Sequence, residues 1–196
     1  MTDKILFCKI TPMKYYKIRC EKDPAPYISP EVHVGEQYNF KPVNLNGEKI
    51  CHGYFEHRMQ HLHIENISGY ENLKNANSVD DRLSIKDVLV VWCTSSEDNS
   101  LIVAGWYKNA TAYYDMQEFC DTQQLPERQW YYVTAKAKDC VLLPNDVRNK
   151  WKLPEKFTFG ERFVRFINDS EYTDDIKNLI NDIHHYGENW IDKYPD

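Results

Sequence analysis

The chain is first informative for what it does without. No stretch of its 196 residues approaches the ~20 apolar residues that a membrane span needs, and the N-terminus has no apolar run of signal-peptide length. Six cysteines, Cys8, Cys20, Cys51, Cys93, Cys120 and Cys140, lie far apart with no C-x-x-C pair. These absences predict a reduced, intracellular, cytoplasmic protein, in which the N-x-S/T triplets at Asn66, Asn109 and Asn168 carry no glycosylation meaning. Catalytic signatures are missing too: there is no G-x-S-x-G, no H-E-x-x-H, no Walker loop and no Rossmann glycine pattern. Nor is there an excess of positive charge. Twenty-four basic against thirty acidic residues leave a net charge of -6, which argues against a broad, sequence-blind grip on a phosphate backbone.

What is present is packing material. Hydrophobic residues make up 42% and aromatics 14% of the chain, enough for one domain spanning 1–196. "KILFCKI" (4–10) reads as a strand, followed by a helical turn in "TPMKYYK" with Thr11 as cap and Pro12 in its first position. A proline-rich loop, "EKDPAPYISP", comes next. "EVHVGEQYNFK", "KICHGYFEH" and "HLHIENI" alternate like strands, with Asn46-Gly47 as the turn between the first two. Residues 69 to 86 are polar and loop-like. "DVLVVWC" (87–93) is a continuous apolar run of the kind covered on both faces, and "LIVAGWY" returns beside it after a seven-residue turn. "QWYYVTAKAKDCVLL" predicts a hairpin centred on Lys138 and Asp139.

Near the C-terminus the period changes. Ile176, Leu179, Ile180 and Ile183 recur at helical spacing, Thr173 is placed as cap with Asp174 and Asp175 in the first turn, and Gly187 follows His184 and His185. "ERFVRFIN" before it predicts a shorter helix with Phe163, Phe166 and Ile167 inward. Short strands followed by helices imply an α+β domain built on a curled sheet.

Two constellations could carry chemistry. His52, His57, His61 and His63 form a histidine cluster, and His61 and His63 at i, i+2 would point to one face of a strand, as zinc ligands can. A third ligand at fixed spacing is not evident, so no metal and no other cofactor is assigned. The second lies in "SLIVAGWYKNATAYYD" (100–115), where Trp106, Tyr107, Lys108 and Asn109 follow an apolar run; the turn before it should bring Trp106 close to Trp92. Taken alone, both tryptophans read as core residues. The functional alternative is an aromatic-walled slot that stacks a flat base.

"DVLVVWCTSSEDNSLIVAGWYKNATAYY" resembles the core of the EVE-like domains of the PUA-like superfamily, a group that includes the YTH readers of methylated RNA. It is most similar to the modules at the front of modification-dependent restriction endonucleases, and the likeness extends in order through "ILFCKITPMKYYK", "GEQYNFKP", "GYFE" and "CVLLPNDVR". The resemblance implies a small curled β-barrel over about 4–148, with flanking helices and a C-terminal helical extension over about 149–196. It also implies a pocket for a flipped, modified nucleobase, such as methylated or hydroxymethylated cytosine. At the matching positions Trp92 and Trp106 would wall that pocket, with Tyr107 and Asn109 at its rim and Thr11 and Tyr15 closing the opposite side. Lys14, Lys17 and Lys108 would then contact phosphates. The partner implied is nucleic acid, DNA favoured over RNA, with a separate effector nuclease in a defence setting, since the chain carries no nuclease or motor domain and would read without cutting. Two alternatives stand beside it: a small enzyme acting on a base or nucleotide with a carboxylate such as Glu36 as general base, and a protein-interaction scaffold whose aromatics are all core. Two departures from the family pattern are Ala104 in "VAGW" and the polar stretch at 69 to 86.

Overall fold

Side-chain alternation along two neighbouring strands organises the molecule. The computed structural model describes residues 4–17, 35–56, 61–66, 84–125, 129–167 and 172–193. Strand β1 (Lys4–Lys9) runs parallel to the later strand Ser84–Ser95, with Lys4 beside Val88 and Lys9 beside Cys93. Between them in sequence come β2 (Val43–Leu45) and β3 (Glu48–Gly53), so Ser84–Ser95 is β4. The chain turns back into the long β5 (Leu101–Phe119), then forms β6 (Gln129–Lys136), β7 (Cys140–Leu142) and β8 (Val164–Phe166). The hydrogen-bonded order is β2-β3-β6-β5-β4-β1-β8, with β7 also on β5, and all pairings except β1 with β4 are antiparallel. Among the described residues one α-helix, α1 (Asp174–His185), completes an α+β fold that is mostly sheet. The expected closed barrel does not form among the described residues: the sheet keeps two edges, β2 and β8.

Both faces of the central strands are covered. Leu6, Cys8, Val88, Val90 and Trp92 point to an inner face shared with Phe40, Phe55 and Tyr107. Ile5, Phe7, Leu89, Val91 and Cys93 point the other way, onto Trp106, Leu153, Phe157 and the apolar stripe Ile176, Leu179, Ile180 and Ile183 of α1. That stripe, with the Thr173 hydroxyl accepting from the Ile176 amide at 3.4 Å, is the helix that the spacing predicts. The β2–β3 turn is also as read: Asn46 (φ 52°) and Gly47 (φ 86°) both adopt the left-handed conformation that a two-residue hairpin requires.

Elsewhere tertiary structure overrides the local reading. Within "ERFVRFIN" the described residues 161–167 hold a strand rather than a short helix, because Val164 and Phe166 pack inward while Arg165 lies over the Phe157 ring on the outer side, and the edge of β1 takes up their backbone. β6 and β7 are not a hairpin with each other. They are separated by a 3-10 turn, Ala137–Asp139, and both pair along the 19-residue β5, which is long enough to serve two neighbours. Residues 11–17 form no helical turn; the chain there is irregular, with Tyr16 at φ 52°. In "EVHVGEQYNFK" the described part is a 3-10 turn, Gly35–Tyr38, and in "HLHIENI" only His61 makes a bridge, to Asp115, before another 3-10 turn, Ile64–Asn66. Of the polar stretch at 69 to 86, residues 84–86 belong to β4; the rest, the proline-rich loop, Cys20 and His57 lie outside the described residues. The five described cysteines are free thiols. No described helix is long and apolar enough to cross a membrane.

Two positions give direct tests. A Cβ at Gly105 would sit 2.7 Å from Phe40 Cζ and closer still to the Val141 carbonyl oxygen, where β7 joins β5. Gly105→Ala should therefore cost about 3 kcal/mol in chemical denaturation, from overpacking against backbone that cannot yield. His52 is buried between Phe119 and Tyr131, at ring-centroid distances of 4.8 and 4.4 Å, and burial lowers its pKa to about 4. The folded state then keeps His52 neutral while the unfolded chain protonates near pH 6.5, so stability is full above that pH and is lost as pH falls toward 4. Melting scans should show the wild type losing on the order of 2–3 kcal/mol more than His52→Phe between pH 7.5 and 4.5.

Candidate functional site at the exit of the first strand

The β4–β5 register decides which aromatics can meet. Trp92 stands opposite Gly105 and Val91 opposite Trp106, and residues directly across an antiparallel pair share a face. Trp92 and Trp106 therefore lie on opposite sides of the sheet. Trp92 packs inward against Tyr107 (5.2 Å, 71°) and Phe55 (6.3 Å). Trp106 packs outward against Trp151 (5.3 Å) and Tyr186 (5.4 Å), beyond the C-terminal end of α1. Both indoles are 0% exposed, so the slot expected between them does not exist. The register shift between Trp92 and Cys93 gives β5 one extra residue, Ala104, in the segment where the family pattern is altered.

The rest of the predicted rim is dispersed by the same parity. The buried Tyr107 hydroxyl donates to the Asn39 carbonyl, and burial pushes its pKa well up. Lys108 reaches the outer side, where Nζ lies 3.5 Å from the His184 carbonyl near the C-terminus of α1. Asn109 is exposed at φ 51° within a second bulge, between the pairs Val90–Tyr107 and Val88–Ala110, so a turn-tolerant residue is explained there by backbone geometry. Lys17 is 2% exposed and no surface lysine. Lys14 is exposed, with Nζ 5.1 Å from the centre of the half-buried Tyr15 ring.

Thr11, Lys14 and Tyr15 do come together with Trp92's side of the sheet, at the end of β1. A set of polar groups is buried there. Glu36, 2% exposed, comes from the 3-10 turn before β2; Oε2 accepts from the Thr11 amide at 2.7 Å and Oε1 from the Glu56 amide at 3.3 Å. No cation pairs with it among the described residues. Burial raises its pKa, with the hydrogen bonds from Thr11 and Glu56 opposing. The Tyr16 hydroxyl donates to the Thr11 carbonyl at 2.7 Å, accepts from the Met13 amide at 3.1 Å and lies beside the Thr94 hydroxyl; burial, opposed first by Arg148, pushes its pKa up to about 12. The buried Arg148 guanidinium, 5.5 Å from the Tyr16 ring centre, donates to the carbonyls of Met13 (2.7 Å), Lys14 (2.8 Å) and Leu143 (3.1 Å). It fastens the β1 exit to a turn some 135 residues away. The Asn39 side chain exchanges two 2.8 Å hydrogen bonds with the Tyr54 backbone and fixes the chain beyond β3. Trp92 Nε1, buried on this same inner face, meets no acceptor among the described residues.

The arrangement is thus a fixed acceptor, a hydroxyl and an indole donor inside an aromatic-rich wall. Such groups can hydrogen-bond the edge of a planar heterocycle. Glu36 was named from the sequence only as an example of a carboxylate that could act as general base, with nothing local to place it at the β1 exit, and Arg148 carries no local signal because its partners are remote in the chain. A separate cleft of ≈ 500 Å³ opens on the opposite side between β8 and α1, lined by Pro154, Phe157, Arg165, Ile167, Thr173 and Ile176; none of the predicted site residues faces it. Of the predicted histidine cluster, His61 and His63 each face a separate carboxylate. His61 Nδ1 contacts Asp115 at 2.6 Å and His63 Nδ1 contacts Glu65 at 2.6 Å, and no group of three His, Cys, Asp or Glu able to hold a metal ion occurs among the described residues. No protein-family model, no curated protein and no solved structure matches the chain.

These placements predict separate outcomes for two of the expected pocket residues. Trp106→Ala should destabilise by about 3–5 kcal/mol in denaturant unfolding, as loss of a large core side chain does. Asn109→Gly should leave the melting temperature within about 2 °C of wild type, because glycine accepts the left-handed bulge conformation at no steric cost; Asn109→Val should lower it.

Proposed function

We propose that this chain is a nucleic-acid-binding reader that takes a modified base, in DNA rather than RNA, into a pocket at the exit of β1, and that its curled sheet is a PUA-like domain. The observation that carries this reading is the buried cluster at that exit: a carboxylate held by main-chain amides and an indole N–H with hydrogen-bonding capacity to spare, in a wall of aromatic side chains. Buried polar groups are ordinarily satisfied, and those that are not call for a reason. The ordered likeness of residues 4–148 to the EVE-like modules supports the same place, because it puts Thr11 and Tyr15 at the pocket. Of its two tryptophans, Trp92 lies on this side of the sheet, its ring packed against Phe55 and Tyr107 and its N–H without an acceptor among the described residues. Extruding a base costs a few kcal/mol, which stacking and edge hydrogen bonds offset. With a net charge of -6 the protein depends on that pocket more than on phosphate contacts. The setting proposed is cytoplasmic defence against modified DNA, with cutting left to a separate effector nuclease.

One observation favours a second reading. A buried carboxylate with a raised pKa is also what a general base requires, so Glu36 could serve a small enzyme acting on the same ligand. Turnover separates the two, since a reader releases its oligonucleotide unchanged.

The test is an anisotropy screen of short duplexes and single strands carrying unmodified, methylated, hydroxymethylated and glucosylated bases. At least one modified base should bind about tenfold or more tightly than its parent, in keeping with ~1–3 kcal/mol per stacked base. Lys14→Ala should weaken every arm alike and reduce the salt slope by about one. Equal affinity across all arms overturns the proposal.

A further inference from the structure

We infer that the cleft between β8 and α1 is a second binding site, for a short zwitterionic peptide with a free ammonium at one end, a free carboxylate at the other and apolar side chains between. It opens on the outer face of the sheet and is independent of the reader proposed above. The cleft measures ≈ 500 Å³, a volume usual for small-molecule sites, and its floor is the outer core at Phe157, Ile167 and Ile176. Ligands of that size are larger than one amino acid, and a dipeptide with bulky side chains reaches it. The charges around the floor are sorted by sign. Glu155 and Asp175 also line an adjoining cleft of ≈ 440 Å³ along α1, so they stand where the two meet, whereas Lys156 and Arg165 line the first cleft alone. One end is therefore acidic and the other basic. Arg165 is fixed in place, its guanidinium 4.7 Å from the centre of the Phe157 ring and Nη1 donating to the Thr158 carbonyl at 2.7 Å. The side chains of Glu155, Lys156 and Asp175 make no ion pair or hydrogen bond among the described residues, although Asp174, next in sequence to Asp175, pairs with Lys177 at 2.9 Å. A simple cation meets repulsion at the basic end and a simple anion at the acidic end. A dipolar ligand satisfies both. The Thr173 hydroxyl, whose oxygen caps α1, keeps its proton to donate to a peptide carbonyl at the rim.

The experiment titrates the full chain, by calorimetry or NMR shifts, with the dipeptide leucyl-phenylalanine and three relatives: its N-acetylated form, its C-terminal amide, and glycyl-glycine. The free dipeptide should bind saturably, and removing either terminal charge should weaken it about threefold or more, in keeping with partly exposed ion pairs. Glycyl-glycine, which has both charges and no apolar side chain to lay on the floor, should not saturate. Lys156→Gln should shrink the penalty for amidation but not that for acetylation, and Glu155→Gln should do the reverse. Both side chains are exposed, so melting scans should match wild type. Absence of saturable binding overturns the inference, as does equal binding of the blocked and free dipeptides, or a charge variant that shrinks both penalties alike. The oligonucleotide screen reads the β1-exit site separately, so failure of one site is distinguishable from failure of the other.

Discussion

A sheet covered on both faces leaves no neutral side to a strand, and that constraint governs everything in this molecule. Along β4 and β5 each successive side chain is committed either to the inner layer of Phe40, Phe55 and Tyr107 or to the outer layer under α1. Trp92 and Trp106 differ by one step of parity across the pair, which puts the thickness of the sheet between them. Lys108 and Asn109 are placed by the same rule and by the bulge that interrupts it. A residue's neighbours in sequence are therefore poor guides to its neighbours in space here, and its register partner is a good one.

Within such a sheet, buried polar groups at a strand's exit are costly unless something meets them. The molecule meets most of them with main chain. Arg148 binds carbonyls of an irregular segment that has no helix or sheet partner to use them, and Asn39 stands in for a strand beside Tyr54. Glu36 takes amides from two loops in the same way. Tyr16 lies between the positive and the negative group, and its ionisation feels both, Arg148 lowering its pKa and Glu36 raising it. This mutual bracing gives loops without regular structure a defined shape, which is a prerequisite for a site that discriminates between similar ligands.

The elements legible in the sequence are those whose cause is local. Helix α1 carries its own stripe and cap, and the Asn46-Gly47 turn carries its own backbone demand. The two-sided burial of β4 was legible in "DVLVVWC", because an unbroken apolar run fits only a strand with no wet face. The misread elements depend on distant partners. Residues 164–166 are a strand because β1 offers an edge, and β6 and β7 diverge because β5 is long enough to bind both. At the site, Thr11, Tyr15 and Trp92 were legible as residues near a strand exit. The failure of the Trp92–Trp106 pairing was not, since it turns on a register that no composition or spacing reveals.

The one parallel pairing then explains why a site sits where it does. Antiparallel neighbours send consecutive exits to opposite ends of a sheet, whereas β1 and β4 run in the same direction, their ladder closing with Lys9 beside Cys93 and the Ile10 amide donating to the Cys93 carbonyl at 2.8 Å. Beyond Lys9 the β1 chain leaves the ladder and turns outward through Thr11, while Thr94 and Ser95 stay paired with Ile102 and Leu101 of β5. Both faces being filled, this exit is where backbone amides and hydroxyls can turn toward something other than their own strands. The groups gathered around it, Glu36, Tyr16 and Arg148, come from segments far apart in the chain, and each is oriented by main-chain hydrogen bonds of its own.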